Sequence, residues 1–168
     1  MSLKATIFFS VWTSFFCSVF NGVYVMIPVL GGHPWIMFCC LAVFFALNST
    51  VKDVPKMMVS ATCGVFWGQI DLLLMTFGAF GSFWFGFFPI LVGTTITMII
   101  HIFYLGATPA GVVPFIFSGV ALTFATGTGL MDWPSIIGLW LSMMFGLVLC
   151  GVCAYGQGIG MQKWPLEQ

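Results

Sequence analysis

Asp71 stands inside the apolar run Phe66-Trp67-Gly68-Gln69-Ile70-Asp71-Leu72-Leu73-Leu74-Met75. An acid deep in a hydrocarbon segment costs ~2.5–3.5 kcal/mol on insertion scales, so it normally faces a cavity or a partner. The alternative is solvation at the outer interface, because Asp71 is only six residues before the turn expected at Phe77. His101, in Thr97-Met98-Ile99-Ile100-His101-Ile102-Phe103, could gate a path or sense pH, or it could be a hydrogen-bonded structural residue. Thr94, Thr95 and Thr97 precede it; their hydroxyls either bond their own helix or line a pore. Trp67, Gln69 and Asn21 complete the polar candidates inside apolar segments, and His33 reads as interfacial.

No constellation for enzymatic chemistry accompanies these residues. There is no Ser/His/Asp grouping and no acidic metal cluster, and Gly127-Thr128-Gly129 lacks the Lys of a phosphate loop. The expectation is a non-enzyme without a cofactor or a metal. Cys150-Gly151-Val152-Cys153 has redox or metal spacing, but all six cysteines lie in apolar stretches, where a free thiol behaves as a small hydrophobe.

Composition settles what surrounds such residues. Only 5% of the 168 residues are charged and 61% are hydrophobic, whereas a soluble domain carries about 25% charged residues. Lipid is therefore the solvent. Twenty Phe and seven Trp suit an apolar surface with aromatic interfacial ends. Zero net charge without a basic run argues against nucleic-acid partners.

A bilayer core needs about 20 helical residues per crossing. Six segments emerge within a single transmembrane domain: Ala5–Leu30, Trp35–Leu47, Met57–Phe77, Phe83–Leu105, Val112–Ala125 and Pro134–Tyr155. The first is too long for a signal-peptide core and reads as a retained helix. The second and fifth are short, running into Asn48-Ser49-Thr50 and Thr126-Gly127-Thr128-Gly129. With both termini cytoplasmic, Lys4, Lys52, Lys56 and Lys163, every basic residue in the chain, fall inside, as the positive-inside rule requires.

The two short segments correspond at one constant offset, without a gap. Phe38 aligns with Phe117, Ala42 with Ala121, Phe45-Ala46 with Phe124-Ala125, Asp53 with Asp132, Pro55 with Pro134 and Phe66 with Phe145. Two of the three Asp residues match, which chance composition explains poorly. Three segments per half make the copies, about 5–78 and 83–157, opposite in orientation. The fold class expected is an all-α membrane protein of two inverted three-helix repeats with short or broken second and fifth helices. Matched interruptions of this kind point to a transporter's binding site.

The expected path lies between Phe45/Asn48 and Phe124/Thr126, with Thr50, Trp67, Gln69, Asp71, Thr94, Thr97, His101 and Thr128 as further lining candidates. Scarce buried charge favours passive passage of a small neutral polar solute, urea-, amide- or polyol-like. The alternatives are an ion-coupled secondary transporter using Asp71 and a non-transporting membrane scaffold or accessory subunit. Partners expected are the lipid bilayer, the solute and further copies of the chain, as a homo-oligomer with three subunits.

Ser60-Ala-Thr-Cys-Gly-Val-Phe-Trp-Gly68 and the stretch Val113–Trp133 resemble the YcdZ-like family of small bacterial inner-membrane proteins, domain of unknown function 1097. The resemblance runs over roughly 10–155. It is carried by Phe45-Ala46, Lys52, Gly64-Val65 with Trp67, and Phe124-Ala125-x-Gly127 through Asp132-Trp133. It implies a bacterial inner-membrane location and several spans, and no settled activity. One departure is Asn48-Ser49-Thr50, where the family is richer in Gly and often carries Cys-Pro; selectivity would differ if that loop lines the path.

Overall fold

The computed structural model describes residues 1–76 and 82–165, with backbone alone at 82–86 and 89. The Gly/Ala/Phe turn expected after the third segment, and the terminal Leu166-Glu167-Gln168, lie outside the described residues. Six α-helices are found among those described: α1 (Leu3–Val25), α2 (Trp35–Ala46), α3 (Val54–Thr76), α4 (Ser82–Met98), α5 (Val113–Ala125) and α6 (Trp133–Lys163). Helix α4 continues into π-helical turns over Ile99–Tyr104. Helices α1, α3 and α6 are long and apolar enough to cross a membrane.

Two boundaries differ from the hydropathy reading. Helix α1 stops at Val25 and gives way to a 3₁₀ turn, Pro28–Leu30, because proline supplies no amide to continue the ladder. Helix α6 runs to Lys163, past the apolar limit at Tyr155. Loss of hydrophobicity marks where a helix leaves lipid, and nothing in Gln157–Lys163 forces it to unwind there.

The surface of α1 fits a lipid solvent. Leu3, Ile7, Val11, Phe15, Val19 and Val23 are all exposed, and their four-residue spacing makes one outward apolar stripe. Water would not tolerate a face of this size. The hydroxyls of Thr6, Ser10 and Ser18 donate to carbonyls four residues earlier, at 2.8–3.0 Å, so they need no outside partner.

Contacts fix the directions of the helices. Trp12 donates to the Val152 carbonyl at 2.9 Å while Tyr24 reaches Ser142, so α1 and α6 are antiparallel. Gly138 lies on Val29 and Gly146 on Met37 and Cys40, so α2 runs parallel to α6. Ser60 meets Pro109 and Gly68 meets Thr123, so α3 and α5 are parallel. Asp71 meets Gly93 and Trp67 meets His101, so α3 and α4 are antiparallel. Trp140 bonds Thr62, and Met131 bonds Gln69, so α3 and α6 are antiparallel. Successive helices therefore alternate in direction. The start of α1 meets the end of α6 where the Ser2 hydroxyl donates to the Trp164 carbonyl at 2.7 Å.

The two short helices end alike. Leu47, Asn48 and Ser49 donate their amides to Val43, Phe45 and Phe44; Thr126, Gly127 and Thr128 donate to Leu122, Phe124 and Thr123. Asn48 and Gly127 take positive φ, 51° and 67°. This left-handed residue after a helix satisfies the last carbonyls.

Candidate functional site: a buried polar seam along α3

Ser60, Gly64, Trp67 and Asp71 recur every three or four residues, so α3 presents them along one face. Lys56, one turn before Ser60, lines an open cavity of about 540 Å³ with Gly106, Thr108, Pro109 and Val112. Three levels of polar contact follow from that mouth.

At the first level the buried Ser60 hydroxyl donates to the Pro109 carbonyl at 2.9 Å and accepts from the Val112 amide at 3.0 Å. It satisfies backbone freed by the 3₁₀ turn Pro109–Gly111 ahead of α5. Unpaired groups there would be costly away from water.

At the second level the Trp67 indole donates to His101 Nε2 at 2.8 Å, and His101 Nδ1 lies 2.7 Å from the Ala110 carbonyl. The indole can only donate and the carbonyl can only accept. The ring is therefore the Nδ1–H tautomer, with both nitrogens engaged, and His101 is buried. It lies in the π-helical turns, a form that recurs at functional sites.

At the third level Asp71 is 6% exposed. Its Oδ1 has no hydrogen-bond partner and faces Gly93 of α4, where an added Cβ would collide with that oxygen. The buried Thr97 hydroxyl, one turn along α4, donates to the Gly93 carbonyl at 2.8 Å. Asp71 and His101 thus occupy successive levels, each with its own neighbours.

Glycines bring the helices close enough for these contacts. A Cβ on Gly64 would strike the Ile116 carbonyl, one on Gly119 would lie 2.7 Å from Gly64 backbone, and one on Gly68 would lie 2.5 Å from Thr123 Oγ1. Small residues at four-residue spacing pack membrane helices in this way. Ser60-x3-Gly64-x3-Gly68 and Gly138-x3-Ser142-x3-Gly146-x3-Cys150 are such runs. Reading that spacing from the sequence would have singled out Ser60 and Ser142.

Tyr24 plays the part of Ser60 in the other half. Its hydroxyl donates to the Leu30 carbonyl at 2.5 Å and accepts from the His33 amide at 3.0 Å, while the Ser142 hydroxyl lies 2.7 Å from the same carbonyl. At the repeat offset that pairs Asp53 with Asp132, Leu30 corresponds to Pro109 and His33 to Val112. A hydroxyl therefore clasps the same backbone positions before each short helix. Beyond that the halves diverge. The α6 counterparts of Ser60, Gly64, Trp67 and Asp71 are Leu139, Met143, Gly146 and Cys150, so this polar seam has no equivalent there.

The remaining candidates sit at the ends of the short helices. Phe45 is half-buried, its ring 5.6 Å from Phe9, and Phe124 is exposed. Asn48 and Thr50 are exposed. The Thr50 amide and hydroxyl donate to Asp53 Oδ2 at 2.8 and 2.9 Å. Thr126 and buried Thr128 bond each other at 2.8 Å. Thr94 is half-buried, whereas Thr95 and Asn21 are exposed. His33 rests edge-on against Trp35. Gln69 accepts from the Met131 amide at 2.9 Å, leaving its Nε2 buried without a partner.

At the start of α3, Lys56 lies 2.7 Å from Asp53 of the preceding 3₁₀ turn. That ammonium and the Thr50 donors hold the Asp53 carboxyl down at about 2. Cys40, Cys150 and Cys153 are buried free thiols. Among the described residues no group of three His, Cys, Asp or Glu side chains could hold a metal ion.

A family model described as "Protein of unknown function (DUF1097)" matches residues 3–158. The chain belongs to this family. The DUF1097 match takes in Ser60, Trp67, Asp71, Thr97 and His101 together. No curated protein and no solved structure matches the chain.

Proposed function

We propose that this DUF1097 protein is a membrane transport protein, a passive channel or facilitator for a small neutral polar solute of the urea, amide or polyol class. The observation that carries the reading is the polar seam from the Lys56 mouth through Ser60 and His101 to Asp71. Such groups are expensive in hydrocarbon and normally mark a substrate path. Hydroxyls and carbonyls would replace the solute's water, and the Trp67–His101 bridge would narrow the way.

In this reading the six helices each cross the membrane as two inverted three-helix repeats. Alternating directions, matched helix ends and the two hydroxyl clasps support it. So does the junction of the start of α1 with the end of α6, which brings Lys4 and Lys163 to one end of the bundle. With the positive-inside rule and the family resemblance, that end faces the bacterial cytoplasm.

The experiment is solute-driven swelling of proteoliposomes containing the full chain. Faster swelling than protein-free vesicles with urea, a short amide or glycerol is expected. Equal rates for every small polar solute would remove the passive reading. The unpartnered Asp71 oxygen favours a second reading, ion-coupled uptake, which predicts gradient-dependent accumulation abolished by Asp71→Asn. A passive path would largely survive that change.

A further inference from the structure

We infer that the end of the bundle bearing the chain termini holds a site for the phosphate headgroup of an anionic membrane phospholipid, between the loop after α2 and the last turns of α6. A cavity of about 430 Å³ opens there, lined by Ser49, Lys52, Tyr155, Gln157, Ile159 and Gln162 among others. Its lining joins hydrogen-bond donors to apolar surface, the division a phospholipid itself carries.

Three observations converge on that ligand. The first is depth. Helix α6 has 31 residues, or ~46 Å at ~1.5 Å per residue, against an apolar core of ~30 Å. Roughly ten residues therefore overhang the hydrocarbon, which sets the Tyr155–Lys163 turns at headgroup level. The Lys163 ammonium over the Trp164 ring, 5.1 Å from its centroid, suits the same interface.

The second is charge. The lining holds one lysine and no acid. Lys56 is neutralised by Asp53 at 2.7 Å, whereas Lys52 has no carboxylate partner among the described residues. The nearest acid in sequence, Asp53, is already taken up by Lys56 and Thr50. The third is unused donor capacity: the Gln157 amide nitrogen reaches only the Met1 sulfur, 3.9 Å away. A basic pocket between helices on the cytoplasmic side is the setting in which lipid phosphates bind.

The proposal does not depend on transport. Its test is native mass spectrometry of the full chain released from nanodiscs of equimolar phosphatidylglycerol and phosphatidylcholine. Wild type should retain phosphatidylglycerol preferentially. Lys52→Gln should lower that enrichment about fivefold, one near-surface charge's worth. Lys52→Arg should restore it. No preference in the wild type, or full preference in Lys52→Gln, would overturn the site. A second arm measures Tm in phosphatidylcholine with added phosphatidylglycerol or inorganic phosphate. A rise with the lipid alone supports the assignment. An equal rise with inorganic phosphate would make this a free-anion site and sink the lipid reading. The wild-type comparison stands even if a variant proves unstable.

Discussion

The Trp67 indole nitrogen donates to His101 Nε2 across 2.8 Å, tying α3 to the π-helical turns after α4. Because Ala110 takes the other ring nitrogen, one imidazole joins three separate segments. Trp67→Phe keeps an aromatic ring but leaves Nε2 unpaired in a buried position. It should cost about 1–3 kcal/mol, the usual penalty of an orphaned buried polar atom. Thermal unfolding in detergent reads the loss. An unchanged Tm would show that water replaces the indole and that the seam is wet at this level.

The Asp71–Gly93 contact should behave as a coupled pair. Gly93→Ala places a methyl where the Asp71 oxygen lies, and overpacking of this kind costs about 1–3 kcal/mol. Asp71→Ala removes the obstacle. The double variant should therefore be more stable than the sum of the singles predicts, by about 0.5–3 kcal/mol in a double-mutant cycle. Simple additivity would mean that the two residues do not meet.

The two hydroxyl clasps differ in redundancy, because Ser60 acts alone whereas Tyr24 and Ser142 share the Leu30 carbonyl. Ser60→Ala strips both the Pro109 carbonyl and the Val112 amide of their partner, at a cost of about 1–3 kcal/mol for each group left buried and unpaired. Ser142→Ala leaves Tyr24 still bonded to Leu30, so its penalty should be the smaller. Equal Tm losses for the two would contradict the geometry.

Asp53 gives the fold an acid-side dependence. Its carboxyl is lowered from 3.8 to about 2 by Lys56 and the Thr50 donors. A depressed folded-state value binds fewer protons than the unfolded chain, so stability is full above about pH 4 and declines as pH falls toward 2. The group is partly exposed, which limits the effect to about 1 kcal/mol or less. Acid titration of Tm should show a shallower fall for Asp53→Asn than for wild type.

The residues of the seam show how far local pattern reached. Trp67, Asp71, Thr97 and His101 stood out in the sequence because polar side chains are conspicuous in apolar segments. Ser60 and Ser142 did not, because a serine on an apolar helix is unremarkable until its partner is known. Those partners lie 49 and 112 residues away. Hydrophobic length marks Asn48 and Thr126, because it locates the end of a helix but not the packing behind it.

The sequence by itself determined the six helical segments, the brevity of the second and fifth, the constant offset that pairs Asp53 with Asp132, and the gathering of lysines into regions that share one end. Hydropathy, proline placement and charge are read over short windows, so they survive without a fold. Only the tertiary structure decided that the buried polar groups line up along α3, that Trp67 owns one nitrogen of His101, and that Asp71 faces Gly93. Those relations depend on how closely two backbones approach. That approach rests on glycines meeting across helices, Gly64 on Gly119 above all, and no stretch of chain specifies such a meeting alone.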